Sequence, residues 1–126
     1  MAYQNILLID DDIDDHEIFS AAVESVPGKF AYSACSSASK ALEQLIDDLL
    51  KPDLIFLDLN MPVMNGQEFL TAVKSNEKLK DIPVIIFSTS SNRETIRVTK
   101  ELGAKDFITK PDKFDSLVLL LQSVLA

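Results

Sequence analysis

Leu54-Ile55-Phe56-Leu57-Asp58-Leu59-Asn60-Met61-Pro62 is an apolar run of four residues that stops abruptly on a carboxylate. The run shows neither helical periodicity nor polar alternation, so it reads as a strand covered on both faces. Its end on Asp58 puts a charge where a buried element reaches the surface. The same grammar recurs on either side. Ile6 to Ile9 runs into Asp10, Asp11 and Asp12, Pro83 to Phe87 into Ser88, Thr89 and Ser90, and Asp106 to Thr109 into Lys110 and Pro111. Phe30 to Cys35 is a weaker strand, diluted by alanine and serine.

Amphipathic segments fill the intervals. Residues 14–26 place Ile18, Phe19, Ala22 and Val26 on one helical face, and Pro27-Gly28 ends that segment. Ser36, Ser37 and Ser39 can cap a helix whose stripe is Ala41, Leu42, Leu45, Ile46 and Leu49, broken by Lys51-Pro52. Asn65 with Glu68 predicts a capping box for a helix carrying Phe69, Leu70 and Val73. Ser91 with Glu94 predicts another, closed by Gly103 at its C′ position, and a last helix is expected over residues 113–125.

Five βα units in succession, with no linker or low-complexity stretch, predict a single α/β domain over residues 1–126. Apolar strands alternating with amphipathic helices require a doubly wound parallel sheet with helices on both faces and right-handed crossovers. In that architecture ligands bind at the carboxyl ends of the strands.

Composition narrows the function. The chain has 126 residues, 47% hydrophobic and 25% charged, a globular balance. Its net charge of −8 argues against nucleic-acid binding, which relies on Lys and Arg neutralising phosphates. No apolar run approaches the roughly 20 residues of a membrane span, and the start carries no basic signal-peptide region. A soluble, cytoplasmic protein is expected, with no membrane partner. Cys35 is the only cysteine, which excludes an intramolecular disulfide and disfavours a thiolate zinc site. Gly28, Gly66 and Gly103, the only three glycines, are too far apart for a GxGxxG fingerprint or a GxxxxGK[ST] loop.

The polar residues ending the strands should therefore meet at one rim. Two carboxylates about 5 Å apart repel by roughly 3 kcal/mol at an effective dielectric near 20, so three carboxylates gathered from Asp10, Asp11, Asp12 and Asp58 need a cation. An all-oxygen donor set suits Mg2+, which keeps waters and pairs with phosphate. Lys110 adds a mobile positive charge and Ser88 a hydroxyl. Carboxylates, a hard cation, a lysine and a hydroxyl are what handling a phosphoryl group requires.

Four stretches, ILLIDDD (6–12), LIFLDLNMPVMNG (54–66), PVIIFSTS (83–90) and GAKDFITKP (103–111), resemble the receiver domain of two-component response regulators, in order and spacing along the whole chain. The resemblance implies a flavodoxin-like (βα)5 fold with strand order 2-1-3-4-5. It implies that Asp58 accepts a phosphoryl group from a sensor histidine kinase or a histidine phosphotransfer protein. Asp11 would ligate Mg2+ directly with Asp10 assisting, and the backbone carbonyl of Asn60 would complete the protein ligands. Ser88 matches the switch hydroxyl, Lys110 the family's lysine and Phe107 the aromatic switch residue, and the Lys110-Pro111 bond is expected cis. The chain would not be an enzyme beyond catalysing its own phosphorylation and dephosphorylation. No effector domain fits in this length, so output is expected by protein contact or onward phosphotransfer. The DDDIDDHEIF, KPDLIFLDLN and STSS stretches look most like small single-domain regulators, including those paired with phytochrome-type kinases.

Each of these residues also admits a plainer role. Asp12, Asp14 and Asp15 are assigned mainly to capping and solvent, and His16 to a solvated or capping role, since HExxH is absent. A calcium loop counted from Asp10 fails, because Asp15 stands where glycine is needed and Ala21 where glutamate is needed. Thr89 competes with Ser88, which is preferred because it directly follows the apolar run, and Phe107 could serve packing alone. A haloacid-dehalogenase type phosphohydrolase would need a second aspartate where Asn60 stands. In the terminal helix, Phe114, Leu117, Val118, Leu121, Val124 and Leu125 form a stripe, and Leu119 points nearly opposite it. The family often uses its fourth helix, fifth strand and fifth helix as a dimer or output face, so self-association there is expected.

Overall fold

A computed structural model describes residues 3–90 and 92–125. Ten elements alternate without exception: β1 (Asn5–Ile9), α1 (Ile13–Ser25), β2 (Ala31–Cys35), α2 (Ala38–Ile46), β3 (Leu54–Leu57), α3 (Gly66–Ser75), β4 (Val84–Ser88), α4 (Arg93–Glu101), β5 (Asp106–Thr109) and α5 (Phe114–Leu125). The strands form one sheet in the order β2-β1-β3-β4-β5, every neighbouring pair parallel. This is the doubly wound, flavodoxin-like topology expected from the sequence.

Successive strand residues point to opposite faces, which explains why the central runs are apolar throughout. Ile6, Leu8, Leu54, Phe56, Ile85 and Phe87 face α1 and α5, where they meet Phe19, Ala22, Leu117 and Leu121. Leu7, Ile9, Ile55, Leu57, Val84 and Ile86 face α2 and α3, against Ala41, Leu45, Phe69 and Val73. Phe19 centres the first face, its ring 5.0 Å from Phe56 and 5.6 Å from Phe87 in edge-to-face geometry.

Several local expectations are corrected. In α1 the buried residues are Phe19, Ala22 and Val23, continued by Val26, while Ile18 is 48% exposed. At about 100° per residue, those four centre roughly 90° away from Ile18, which leaves it at the edge of the buried sector. Helix α2 ends at Ile46, well before Lys51-Pro52. Asp48 turns left-handed (φ 62°) and Leu49 N–H bonds back to the Gln44 carbonyl, so Leu49 leaves the stripe and is exposed. Helix α4 is capped by Asn92, whose Oδ1 accepts from Thr95 N–H, and Glu94 pairs with Arg97 instead. Ser91, expected as the cap, lies outside the described residues. Phe114 is half exposed, whereas Leu117, Leu121 and Leu125 are buried and Leu119 faces outward.

Two caps follow the sequence. Ser37 caps α2 through Lys40 N–H, and Asn65 and Glu68 form a complete capping box on α3. Gly103 takes φ +108° just after α4, as a C′ residue does.

Candidate functional site

The parallel ladders deliver polar residues side by side at the carboxyl rim. Asp58 N–H donates to the Ile9 carbonyl at 2.9 Å, setting it beside Asp10, and Lys110 N–H donates to the Ser88 carbonyl at 2.9 Å. Strand alternation then sorts the side chains. Asp10 and Asp58 each follow a residue of the α2/α3 face, Ile9 and Leu57, by one position, and Lys110 lies beside Phe19 and Phe87, so all three belong to the α1/α5 side. Ser88 falls on the opposite side with Ile86 and Phe107, which are paired across β4 and β5. Only Asp10, Asp58, Ser88 and Thr99 are buried polar residues among those described, and three of these four stand at this rim.

Asp10, Asp11 and Asp58 each offer a carboxylate oxygen, all within 4.8 Å of one another. Asp10 and Asp58 are buried and Asp11 is exposed, so the cluster opens to solvent on one side. Asp10 Oδ1 accepts from Asp12 N–H and its Oδ2 from Lys110 Nζ, at 3.0 and 2.8 Å. Lys110 Nζ also reaches Asp15 Oδ2 at 2.8 Å and stands 3.7 Å from Asp58 Oδ1. Its nitrogen lies 5.7 Å from the centre of the Phe87 ring.

The electrostatics show a site short of positive charge. Burial pushes the Asp58 carboxyl up to about 6, only partly offset by the charge of Lys110, and Asp10 raises it further. Burial likewise raises Asp10 despite its hydrogen bonds to Lys110 and Asp12. Burial alone would lower Lys110, but its bonds to Asp10 and Asp15 and the charges of Asp10 and Asp58 hold its ammonium above the usual lysine range. One ammonium therefore faces Asp10, Asp11, Asp15 and Asp58. An oxygen-only cluster with surplus negative charge and an open side fits a hard divalent cation.

The remaining expected residues are placed as follows. Ser88 is fully buried and its Oγ accepts from Ser90 N–H at 3.2 Å, whereas Thr89 is exposed. Asn60 is exposed, and its side chain donates to Ser90 Oγ at 3.4 Å, linking the loops after β3 and β4. Phe107 is partly buried and lines a cavity of about 220 Å3 with Ile96, Thr99 and Ala104. The described residues contain no cis peptide bond, so Lys110-Pro111 is trans, contrary to expectation. Trans is the intrinsically favoured X-Pro isomer by about 0.5–1 kcal/mol.

Gly66 sets how closely α3 approaches the site. Its N–H donates to the Leu59 carbonyl at 3.0 Å, and a Cβ there would lie 2.5 Å from the Asp58 carbonyl oxygen. Only glycine lets the helix start against the residue carrying the carboxylate.

Two residues lie elsewhere than expected. Asp15 is not a solvent residue but a second carboxylate on Lys110, and the signal was its position four residues before buried Phe19. His16 is half-buried, with Nε2 against the Asp10 carbonyl, and its own carbonyl accepts from Tyr32 Oη at 3.2 Å. Burial, then the charge of Asp10, pushes that phenol up to about 12.

Comparison with known proteins agrees with this geometry. Residues 6–122 match the family described as the response regulator receiver domain. A protein-glutamate methylesterase/protein-glutamine glutaminase of Treponema pallidum is 39% identical over 110 residues, 84% of this chain. The chain spans about a quarter of that relative's length (26%). Among solved structures, the phosphorylated cyanobacterial phytochrome response regulator RcpA superposes with a TM-score of 0.88 at 29% identity, covering 98% of this chain and 91% of its own. The Mn2+-bound form of response regulator Rcp1 gives 0.86 at 27% identity, covering 96% and 91%.

Proposed function

The chain belongs to the response regulator receiver domain family of two-component signalling, and from that premise we propose that it carries a phosphoryl group on Asp58, donated by a phosphohistidine. The observation that carries this reading is the setting of Asp58. It is a buried carboxylate at the end of a central strand, with Asp10 and Asp11 oxygens within 4.8 Å and an ammonium 3.7 Å away.

Asp58 supplies the attacking oxygen. A bond forms from its Oδ to phosphorus as the bond to the histidine nitrogen breaks, and that nitrogen keeps the electron pair. Lys110 donates to a phosphoryl oxygen, and the Ser88 hydroxyl, at the end of the neighbouring strand β4, is a second donor. Asp10, Asp11 and Asp58, with the backbone carbonyl of Asn60, would hold Mg2+. When bound, that ion neutralises the carboxylates and the charge that develops on the phosphoryl oxygens. The manganese-bound state of Rcp1 and the phosphorylated state of RcpA support the same reading for this chain.

Residues 1–126 act in this reading as one receiver unit, cytoplasmic and not an enzyme on other substrates. The modification adds about −1.5 to −2 charge. Ser88 and Lys110 are drawn to the new oxygens, and Phe107, on the same side of the sheet as Ser88, turns in response. The donor is a sensor histidine kinase or phosphotransfer protein, and the likeness to RcpA favours a phytochrome-type kinase. Output runs through a downstream protein contact, with the α4-β5-α5 face, where Leu119 is 65% exposed, as the self-association surface.

Incubation with acetyl phosphate and Mg2+ followed by intact-mass measurement tests the reading. A labile increase of one phosphoryl group, absent in Asp58→Asn, is expected. No adduct, or the same adduct in Asp58→Asn, would contradict it.

A further inference from the structure

We infer that Asp15 is a positioning residue: it completes a two-carboxylate cradle that holds the Lys110 ammonium off the attacking oxygen while aiming its remaining donor at Asp58. The inference rests on the reading of Asp58 as acceptor. An ammonium has three N–H donors and no acceptor. Asp10 Oδ2 and Asp15 Oδ2 each take one at 2.8 Å, whereas Asp58 Oδ1, at 3.7 Å, lies beyond hydrogen-bond range.

Lysine is a point charge on a flexible four-carbon stem. One carboxylate would fix how far its nitrogen sits from that partner and leave it free to swing. A second carboxylate, carried on a different element, removes the swing. Asp10 follows β1 and Asp15 lies in the first turn of α1, so the nitrogen is held from two directions. The Lys110 side chain is only 14% exposed, so little water competes for it. Asp15 reaches inward because it stands four residues before buried Phe19, whereas Asp14 stands four before exposed Ile18. Asp12, capping α1 through Asp14 N–H, fixes that register.

The cradle matters in transfer from an acyl phosphate. The Asp58 oxygen bonds to phosphorus as the bond from phosphorus to the acyl oxygen breaks, and the electron pair leaves with the carboxylate product. No proton moves. The third Lys110 donor is drawn to a phosphoryl oxygen along a direction that the two carboxylates set. Without Asp15 the ammonium settles between Asp10 and Asp58 and occupies the oxygen that must attack.

The test compares wild type with Asp15→Ala, Asp15→Asn and Asp14→Ala. Asp14→Ala removes an equal charge from the same turn without touching Lys110. With acetyl phosphate at saturating Mg2+, adduct formation in Asp15→Ala should be about tenfold slower, the scale of one charge-assisted hydrogen bond. Asp15→Asn, which keeps an acceptor oxygen, should fall between that variant and wild type, and Asp14→Ala should match wild type. Without metal, the Lys110 ammonium signal in 15N NMR should be protected from exchange in wild type and Asp14→Ala and lost in Asp15→Ala. An unchanged rate in Asp15→Ala, a retained signal there, or an equal loss in Asp14→Ala overturns the inference alone. A wild type that takes no phosphoryl group overturns the acceptor reading and this inference with it.

Discussion

Asp58 is a carboxylate that its surroundings discourage from ionising. Its pKa is raised to about 6, first by burial and then by Asp10, with Lys110 only partly compensating. A folded-state pKa above the unfolded value of 3.8 means that folding loses stability as Asp58 ionises. That stability is fully present below about pH 3.8 and lost as pH rises through about 6. The rise from 3.8 to about 6 corresponds to on the order of 2 kcal/mol in metal-free protein. Asp58→Asn, measured by urea unfolding in EDTA, should therefore be more stable than wild type above pH 6.5 by about that amount. The advantage should shrink toward pH 4, and Mg2+ should narrow it at pH 7.5 by stabilising wild type. Asp15 shows why one residue of the site escaped the sequence. Five aspartates crowd residues 10–15, and only the helical phase relative to Phe19 separates the inward one from its neighbours.

Elements differ in how firmly they are anchored. Helix α3 buries Gly66, Phe69, Leu70 and Val73 and carries a complete capping box. Gly66→Ala would place a Cβ 2.5 Å from the Asp58 carbonyl and 2.8 Å from Leu59 Cα. It should destabilise the fold by about 1–3 kcal/mol and slow modification of Asp58, whereas Asn65→Ala should cost about 1 kcal/mol. Denaturant midpoints for the two variants check this. Helix α4 buries only Thr99, and its Arg97 pairs with exposed Glu94 and Glu101, contacts that contribute little. Its amides should exchange with deuterium at a lower opening free energy than those of α3, and equal protection would contradict this. The strands were legible because a sheet covered on both faces demands unbroken apolar runs. Helix edges were not: Ile18 misses the buried sector by its angle, Leu49 is removed by the left-handed turn at Asp48, and the cap of α4 sits at Asn92.

At the scale of the molecule, a chain of net charge −8 gathers surplus carboxylates at one rim. That rim could be read from sequence because each polar residue ends an apolar run, and a parallel sheet brings such ends together. The trans Lys110-Pro111 bond could not, since it depends on the surrounding loop rather than on the residue pair. A different surface feature is exposed Leu119 on α5. If α4, β5 and α5 form a self-association face, wild type should sediment with concentration-dependent mass and Leu119→Arg should not, while equal behaviour would remove that role. In the proposed function the Asp10, Asp11 and Asp58 oxygens form a cation site on which the acceptor depends. Titration of Mg2+ into the 15N-labelled protein tests it most directly. Amide signals of residues 10–12 and 58–60 should shift saturably at millimolar Mg2+, with Asn5 and Asp53 at the far end unmoved and the response weakened in Asp11→Ala; a rim whose signals stay still would contradict the account.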